Sequence, residues 1–155
     1  MAEAWQTDPE AAAEEARRRI AVAAETEDGE TAETLDFSDL PALTALPAEI
    51  AGLTRLRRLF AGDLRPDGSV TPHRNALADI SALDGHAGLR ELNLSRTKVS
   101  DLAPLTGLTG LTSLSLDGTR VSDLAPLARL TGLTSLSLLL TRVSDLAPLA
   151  GLTGL

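Results

Sequence analysis

The strongest constraint on the fold of this chain is an internal repeat. Three successive copies begin at Leu89, Leu111 and Leu133, 22 residues apart, and a fixed period of this length is typical of a solenoid built from one structural unit per repeat. The last two copies differ at only three positions, which are Asp117/Leu139, Gly118/Leu140 and Arg129/Gly151. Such similar copies suggest a recent duplication, so residues that they share need not each have a separate function.

Within each copy the hydrophobic period changes. The pattern LxxLxL, at Leu111, Leu114 and Leu116, alternates between two faces and predicts a short strand. The segment DLAPLxxL that follows predicts a turn or a single helical turn, in which Asp123 can cap free N–H groups and Pro126 is tolerated. One unit cannot bury its own leucines, whereas stacked units with parallel strands can share a core.

The full pattern, LxxLxLxxTxVxDLxPLxxLxx, resembles the leucine-rich repeats, specifically the 22-residue bacterial subclass found in internalins. The resemblance covers about residues 31–155. It implies an α/β fold, a right-handed solenoid with parallel strands on its concave face and short 3-10 segments on its convex side. Thr97, Thr119 and Thr141 stand where the family has Asn, and a threonine hydroxyl can still bond the neighbouring backbone, though more weakly.

The organisation that follows is a cap and a stack. Residues 1–30 are predicted to form an N-terminal helical cap that starts at Asp8 and Pro9. Its apolar stripe is predicted to be Ala12, Ala16, Ile20 and Ala23. Residues 31–155 form about five repeats, which are irregular over 31–88 and regular over 89–154.

Two segments of the repeat domain depart from the pattern. Residues 62–75 are an insertion rich in Gly, Pro and charge, and such a long loop is either functional or disordered. The sequence stops at Leu155, the first residue of a would-be sixth repeat, without a polar capping unit. Either the sequence is part of a longer protein, which we favour, or the natural chain ends here and pairs with something. We also expect self-association through an open strand edge near Leu136 and Leu138.

Composition narrows the possible functions. A net charge of −8 argues against nucleic acid and against an anionic membrane surface as partners. The chain has no Cys, no apolar run long enough to span a membrane and no secretory signal in its first residues, so the cytoplasm is the expected compartment. Neither a metal-ligand cluster nor a nucleophile with a neighbouring base can be recognised, so we expect no cofactor, no metal and no enzymatic activity.

The outward positions of the strands are the candidate contact residues, because the resemblance implies binding on the concave face. By strand alternation these positions are Arg58, Phe60, Glu91, Asn93, Ser113, Ser115, Ser135 and Ser137. Binding hot spots favour aromatic residues and Arg, so the varied positions at Arg58, Phe60, Glu91 and Asn93 are preferred over the monotonous serines. The alternative is a solvated sheet face without a partner.

Two further features recur or deviate in the repeats. Lys98, Arg120 and Arg142 form a basic column that could hold carboxylates or phosphates, or could protect the sheet edge from aggregation while paired with the column of Asp101, Asp123 and Asp145. At Leu139 and Leu140 the last copy has an apolar pair, of which one or both residues should be exposed and could contact a partner. The alternatives are contact with further sequence beyond Leu155, or drift after the duplication.

The function predicted from these observations is a protein–protein interaction module that binds a protein partner on its concave strand face. The alternative is a sensor or regulatory segment of a larger multidomain bacterial signalling or effector protein. Whether the source reading frame continues past Leu155 would distinguish the two.

Overall fold

The computed structural model describes residues 2–26 and 32–155. Within these residues five parallel strands form one sheet in chain order. They are β1 (Thr34–Asp36), β2 (Arg58–Phe60), β3 (Glu91–Asn93), β4 (Ser113–Ser115) and β5 (Ser135–Ser137). The predicted right-handed solenoid with an N-terminal helix is confirmed. The predicted boundary between cap and repeats, at residues 30 and 31, lies outside the described residues.

Each coil of the solenoid places a leucine at the centre of its strand. Each central residue is in register with that of the next strand, and in chain order they are Leu35, Leu59, Leu92, Leu114 and Leu136. All but the last are buried. Since complete burial of a leucine side chain contributes about 1.5–3 kcal/mol, this column and its neighbours supply most of the stability of the stack.

The convex side is made of short 3-10 segments, as the sequence predicts. Those of the repeats are Ala48–Gly52, Ser81–Leu83, Ala103–Leu105, Ala125–Leu127 and Ala147–Leu149, and another, Ala4–Gln6, precedes the helix. The carboxylate of Asp123 accepts the N–H of Ala125 at 2.9 Å, and Asp101 and Asp145 do the same in their own coils. This confirms that the repeated Asp caps the turn.

The N-terminal helix α1 (Pro9–Glu25) covers the first coil. Its N-cap, Asp8, accepts the N–H of Glu10 at 2.9 Å, and Pro9 occupies the first turn. The residues that α1 buries are those of the predicted stripe, Ala12, Ala16, Ile20 and Ala23. Small side chains on this stripe allow the helix to approach the core leucines closely.

An ion-pair network fastens α1 to the sheet. The guanidinium of Arg19 donates to the backbone oxygen of Asp36 at 2.8 Å and to the carboxylate of Asp39 at 2.6 Å. Glu15 accepts from Arg18 at 2.7 Å and from Arg19 at 2.9 Å. These contacts, led by the hydrogen bond from Arg18, lower the pKa of Glu15 to about 2.

The inserted segment 62–75 is a hydrogen-bonded hairpin. Leu64 and Val70 form an antiparallel bridge, and the N–H of Thr71 donates to the oxygen of Asp63 at 2.7 Å. At its base the buried amide of Asn75 donates to the carbonyl oxygens of residues 61 and 62, at 3.0 and 2.9 Å. The insertion is therefore tied to the coil from which it leaves. No helix in the described ranges has the length and apolar character needed to cross a membrane.

Candidate binding surface

The outward side chains of the five strands lie in two parallel rows. Arg58 is in register with Glu91, which is followed by Ser113 and Ser135. Phe60 is in register with Asn93, and Ser115 and Ser137 continue that row. The strand alternation predicted from the sequence therefore places the candidate residues on a common face.

Phe60 corrects one expectation, because its side chain is not available to a partner. It is 1% exposed although it lies outside the leucine core of the stack. The guanidinium carbon of Arg58 stands 5.1 Å from the centre of its ring, a distance typical of a cation–π contact. Arg58 in turn donates to Glu91 at 2.7 Å, across neighbouring strands. Phe60 thus supports this ion pair from below, while Arg58 and Glu91, both partly exposed, stay predicted contact residues.

Asn93 is the second correction, since it is only 3% exposed. The hairpin leaves the sheet directly above it: a Cβ atom added to Gly62 would clash with the side-chain oxygen of Asn93. That oxygen also accepts the N–H of Ser95 at 3.2 Å. Asn93 is therefore covered by the start of the insertion and fixes the turn that follows β3. Gly62 is required here because no side chain would fit.

The serine half of the face carries only small side chains, which are partly exposed. Ser113, Ser115 and Ser137 are half-buried, and Ser135 is exposed. Beside them the hydroxyls of Ser95 and Ser115 are 2.7 Å apart. Small side chains let a partner come close to the backbone of β4 and β5.

An apolar depression of about 480 Å³ borders the second row. Leu64 and Val70 of the hairpin line it on one side, and Leu139 and Leu140 of the last coil on the other. Val70 is 63% exposed, Leu139 67% and Leu140 81%. The exposure expected for the Leu139–Leu140 pair is confirmed, and the hairpin lies across from it.

The floor of the depression is polar, and its two carboxylates have partners within the protein. The carboxylate of Asp117 accepts the hydroxyl of Ser137 at 2.5 Å and the N–H of Leu139 at 2.7 Å. Asp63 lies 3.6 Å from the guanidinium of Arg96. These carboxylates therefore have partners within the protein, and the apolar walls are the free part of the depression.

One repeat position shapes this region. Arg96, Gly118 and Leu140 occupy it in successive coils, and all three have a positive φ, at 58°, 66° and 58°. Only glycine adopts this left-handed conformation freely; for an L residue it costs about 1–2 kcal/mol. Arg96 and Leu140 thus have strained backbones, and their side chains lie on either side of Gly118, which has no side chain.

The basic column stands on the other side of the same residues. Lys98, Arg120 and Arg142 are exposed and line a second depression of about 360 Å³. It shares Arg96, Gly118 and Leu140 with the apolar depression, and Arg74 of the insertion lines both. We call the two spaces the apolar half and the basic half of one cleft.

The expected pairing of this column with the repeated Asp residues is wrong. The carboxylates of Asp101, Asp123 and Asp145 are hydrogen-bonded to their own turns. Among the ion pairs of residues 2–26 and 32–155 there is none between the two columns. The capping geometry explains this, because it directs each carboxylate toward the turn that follows it.

Comparison with known proteins agrees with the geometry. The family model "Leucine Rich repeats (2 copies)" matches residues 87–129. Among solved structures, an internalin, inlF, from Listeria monocytogenes str. 4b F2365 is similar, with a TM-score of 0.64 and 28% identity. The chain is a leucine-rich-repeat protein with an internalin-like fold.

The extent of these similarities differs. The comparison with inlF covers 92% of this leucine-rich-repeat chain and 47% of the internalin, so the chain spans about half of that relative. Internalin C2, inlC2, from the same strain has a TM-score of 0.55, 22% identity and 88% coverage of both chains, and it supports the fold alone. Among curated protein sequences none is significantly similar.

Sequence reasoning on this leucine-rich-repeat protein missed Arg74, Arg96 and Gly118 as cleft residues. A signal was available for two of them, because Gly118 is aligned with Arg96 and Leu140 in the repeat, and a glycine in one copy indicates a conformation that the others must also adopt. No such signal exists for Arg74, because the insertion has no counterpart in the other copies.

Proposed function

We propose that this leucine-rich-repeat chain binds a protein partner on the concave strand face and on the apolar half of the cleft beside it. The repeats and the internalin-like fold support a protein-interaction module. The observation that supports this particular surface is the convergence of Val70, Leu139 and Leu140, exposed apolar side chains from distant parts of the chain, around one depression. Contiguous exposed apolar surface of this kind marks contact sites.

The dimensions of the sheet favour a site that includes the cleft. Five strands of three residues, at about 4.8 Å spacing and 3.3 Å rise, present a face of roughly 20 by 10 Å, or about 200 Å². A stable protein interface buries about 800 Å² on each partner. The strands alone are therefore too small, and the hairpin and the Leu139–Leu140 wall are the adjoining features that extend them.

A matched pair of variants tests this surface. Ser113→Arg places a long side chain on the concave face, and Ser122→Arg makes the same change on an exposed residue outside the strands of the same coil. We expect wild-type protein and Ser122→Arg to retain the same protein from a lysate of the source cells, and Ser113→Arg to lose it. Circular dichroism checks that both variants remain folded.

Two results would contradict the proposal. One is retention of the partner by Ser113→Arg together with its loss in Ser122→Arg, which would move the contact away from the concave face. The other involves a third variant, Leu139→Asp with Leu140→Gly, which restores the sequence of the preceding copy. Retention of the partner by this variant and by both serine variants would exclude the concave face and the apolar half of the cleft as the contact. The cytoplasmic location inferred from the sequence stays a prediction.

A further inference from the structure

The basic half of the cleft concentrates positive charge on an otherwise acidic protein. Its cationic lining residues are Arg74, Arg96, Lys98, Arg120 and Arg142, and none of the described residues that line it is Asp or Glu. The first 54 residues, by contrast, hold 3 of the 14 basic and 13 of the 22 acidic residues. A cleft lined by one sign of charge attracts ligands of the opposite sign.

The cations are held close together by the backbone. The N–H of Arg120 donates to the carbonyl oxygen of Val99 at 2.9 Å, and that of Arg142 to Val121 at 3.0 Å. Lys98, Arg120 and Arg142 therefore occupy adjacent coils, about 5 Å apart. Like charges at this spacing repel each other unless an opposite charge lies between them.

No group of the described chain provides that opposite charge for the column. Lys98, Arg120, Arg142 and Arg74 make no ion pair in the parts of the chain that the structure describes. The carboxylate of Asp63, which lines the apolar half, is 3.6 Å from the guanidinium of Arg96 and forms no ion pair with the column among the described residues. The column is thus ready to pair with carboxylates or other anions from outside.

The apolar wall narrows the class of anion. Leu140 lines both halves of the cleft and is 81% exposed, with Gly118 as a gap between it and Arg96. A Cβ atom at Gly118 would lie 3.4 Å from the Cγ of Arg96, so even a small side chain would enter this gap. A phosphate backbone has no group that fits an apolar wall, whereas a peptide can offer a leucine-like side chain beside its carboxylates.

We propose that the cleft binds an acidic segment of the protein partner, with its carboxylates on Lys98, Arg120 and Arg142 and an apolar side chain against Leu140 above Gly118. The inference rests on the proposed function, because the segment belongs to the partner that the concave face binds. It adds the chemical class of the segment and the orientation in which it crosses from the basic to the apolar half.

Labelled short peptides test the proposal directly. One is a run of glutamates with a central leucine, and the second has serine in place of that leucine. Fluorescence anisotropy with the full chain measures both affinities. Wild-type protein should bind the leucine peptide more tightly, and added salt should weaken both complexes because exposed charge contacts are screened.

The cleft variant carries Lys98→Ser, Arg120→Ser and Arg142→Ser. Its control carries Arg17→Ser, Arg55→Ser and Arg129→Ser, three exposed residues outside the cleft, so both variants change the net charge equally. We expect the cleft variant to lose at least about tenfold in affinity for both peptides, and the control to lose far less. Leu140→Gly should weaken the leucine peptide to the level of the serine peptide and leave the serine peptide unchanged.

Three results would overturn the proposal. The first is an equal loss of peptide affinity in the cleft variant and its control, and the second is the absence of salt-sensitive peptide binding to wild-type protein. The third is oligomer formation by wild type and control but not by the cleft variant, which would make an acidic surface of a second copy the occupant. The two proposals fail separately. If Ser113→Arg loses the partner while the cleft variant retains it, the concave site stands and the acidic-segment inference fails.

Discussion

Replacing Leu140 by glycine is expected to leave the stability of the fold nearly unchanged, although it removes a large apolar side chain. Leu140 has a φ of 58° and is 81% exposed. Releasing the left-handed strain returns about 1–2 kcal/mol. The glycine costs about 0.4–1 kcal/mol because it makes the unfolded chain more flexible.

The contact that is lost is small. Complete burial of a leucine is worth about 1.5–3 kcal/mol, and only about a fifth of Leu140 is covered, so about 0.3–0.6 kcal/mol is lost. The three contributions nearly cancel, and the free energy of unfolding should change by less than about 1 kcal/mol in Leu140→Gly. The aligned change in the previous coil, Gly118→Ala, introduces the strain instead and should destabilise the fold by about 1 kcal/mol.

Urea unfolding followed by circular dichroism measures these differences. Leu116→Ala serves as the core control, because Leu116 is buried and its truncation should cost about 2–5 kcal/mol. A loss of more than about 2 kcal/mol in Leu140→Gly would refute the reasoning, since the residue would then be a structural part of the last coil. Stabilisation by Gly118→Ala would refute the assignment of strain to this repeat position.

Three other perturbations give distinct outcomes. Asn75→Ala removes two buried hydrogen bonds at the hairpin base and should cost about 1–3 kcal/mol, with new protease cleavage confined to residues 62–75; unchanged cleavage would contradict the anchoring role. Glu15, whose pKa is lowered from 4.5 to about 2, stabilises the fold above pH 4.5 and loses this contribution as the pH falls toward 2. The stability difference between wild type and Glu15→Gln, about 1 kcal/mol near neutral pH since its partner Arg18 is exposed, should therefore vanish in acid, and a constant difference would count against the ion pair. The edge of β5 away from β4 is unpaired in the described residues, so sedimentation should show self-association as concentration rises, and Ser135→Lys with Ser137→Lys should suppress it; a wild-type monomer at high concentration would remove this expectation.

The repeat itself made most of the fold predictable. The period of 22 residues with its LxxLxL pattern places a leucine at the centre of each strand, and stacking then follows from the need to bury it. The stripe on α1 was predictable for a similar reason, because helical spacing alone identifies the face that a helix can bury. Local periodicity determines these features, so no knowledge of distant contacts was needed.

The cover over Phe60 and Asn93 could not be predicted in this way. Strand alternation places both on the concave face, but Asn93 is covered by the start of the insertion at Gly62 and Phe60 lies beneath the guanidinium of Arg58. The insertion occurs in a single coil, and so no other copy indicates its direction. The cleft has the same origin, since Arg74 and Leu140 line one space only because the inserted hairpin lies beside the later coils.

The departures from the repeat determine where this surface can be selective. Coils of identical sequence produce a surface with the same relief at every step, and such a surface offers no position that differs from its neighbours. Relief requires a difference between coils, and here three differences adjoin each other: the hairpin, the missing side chain at Gly118 and the Leu139–Leu140 pair. The regular column of Lys98, Arg120 and Arg142 supplies attraction without choosing a position along the stack. An acidic ligand held by that column would therefore be fixed in place only by the side chain that it sets against Leu140.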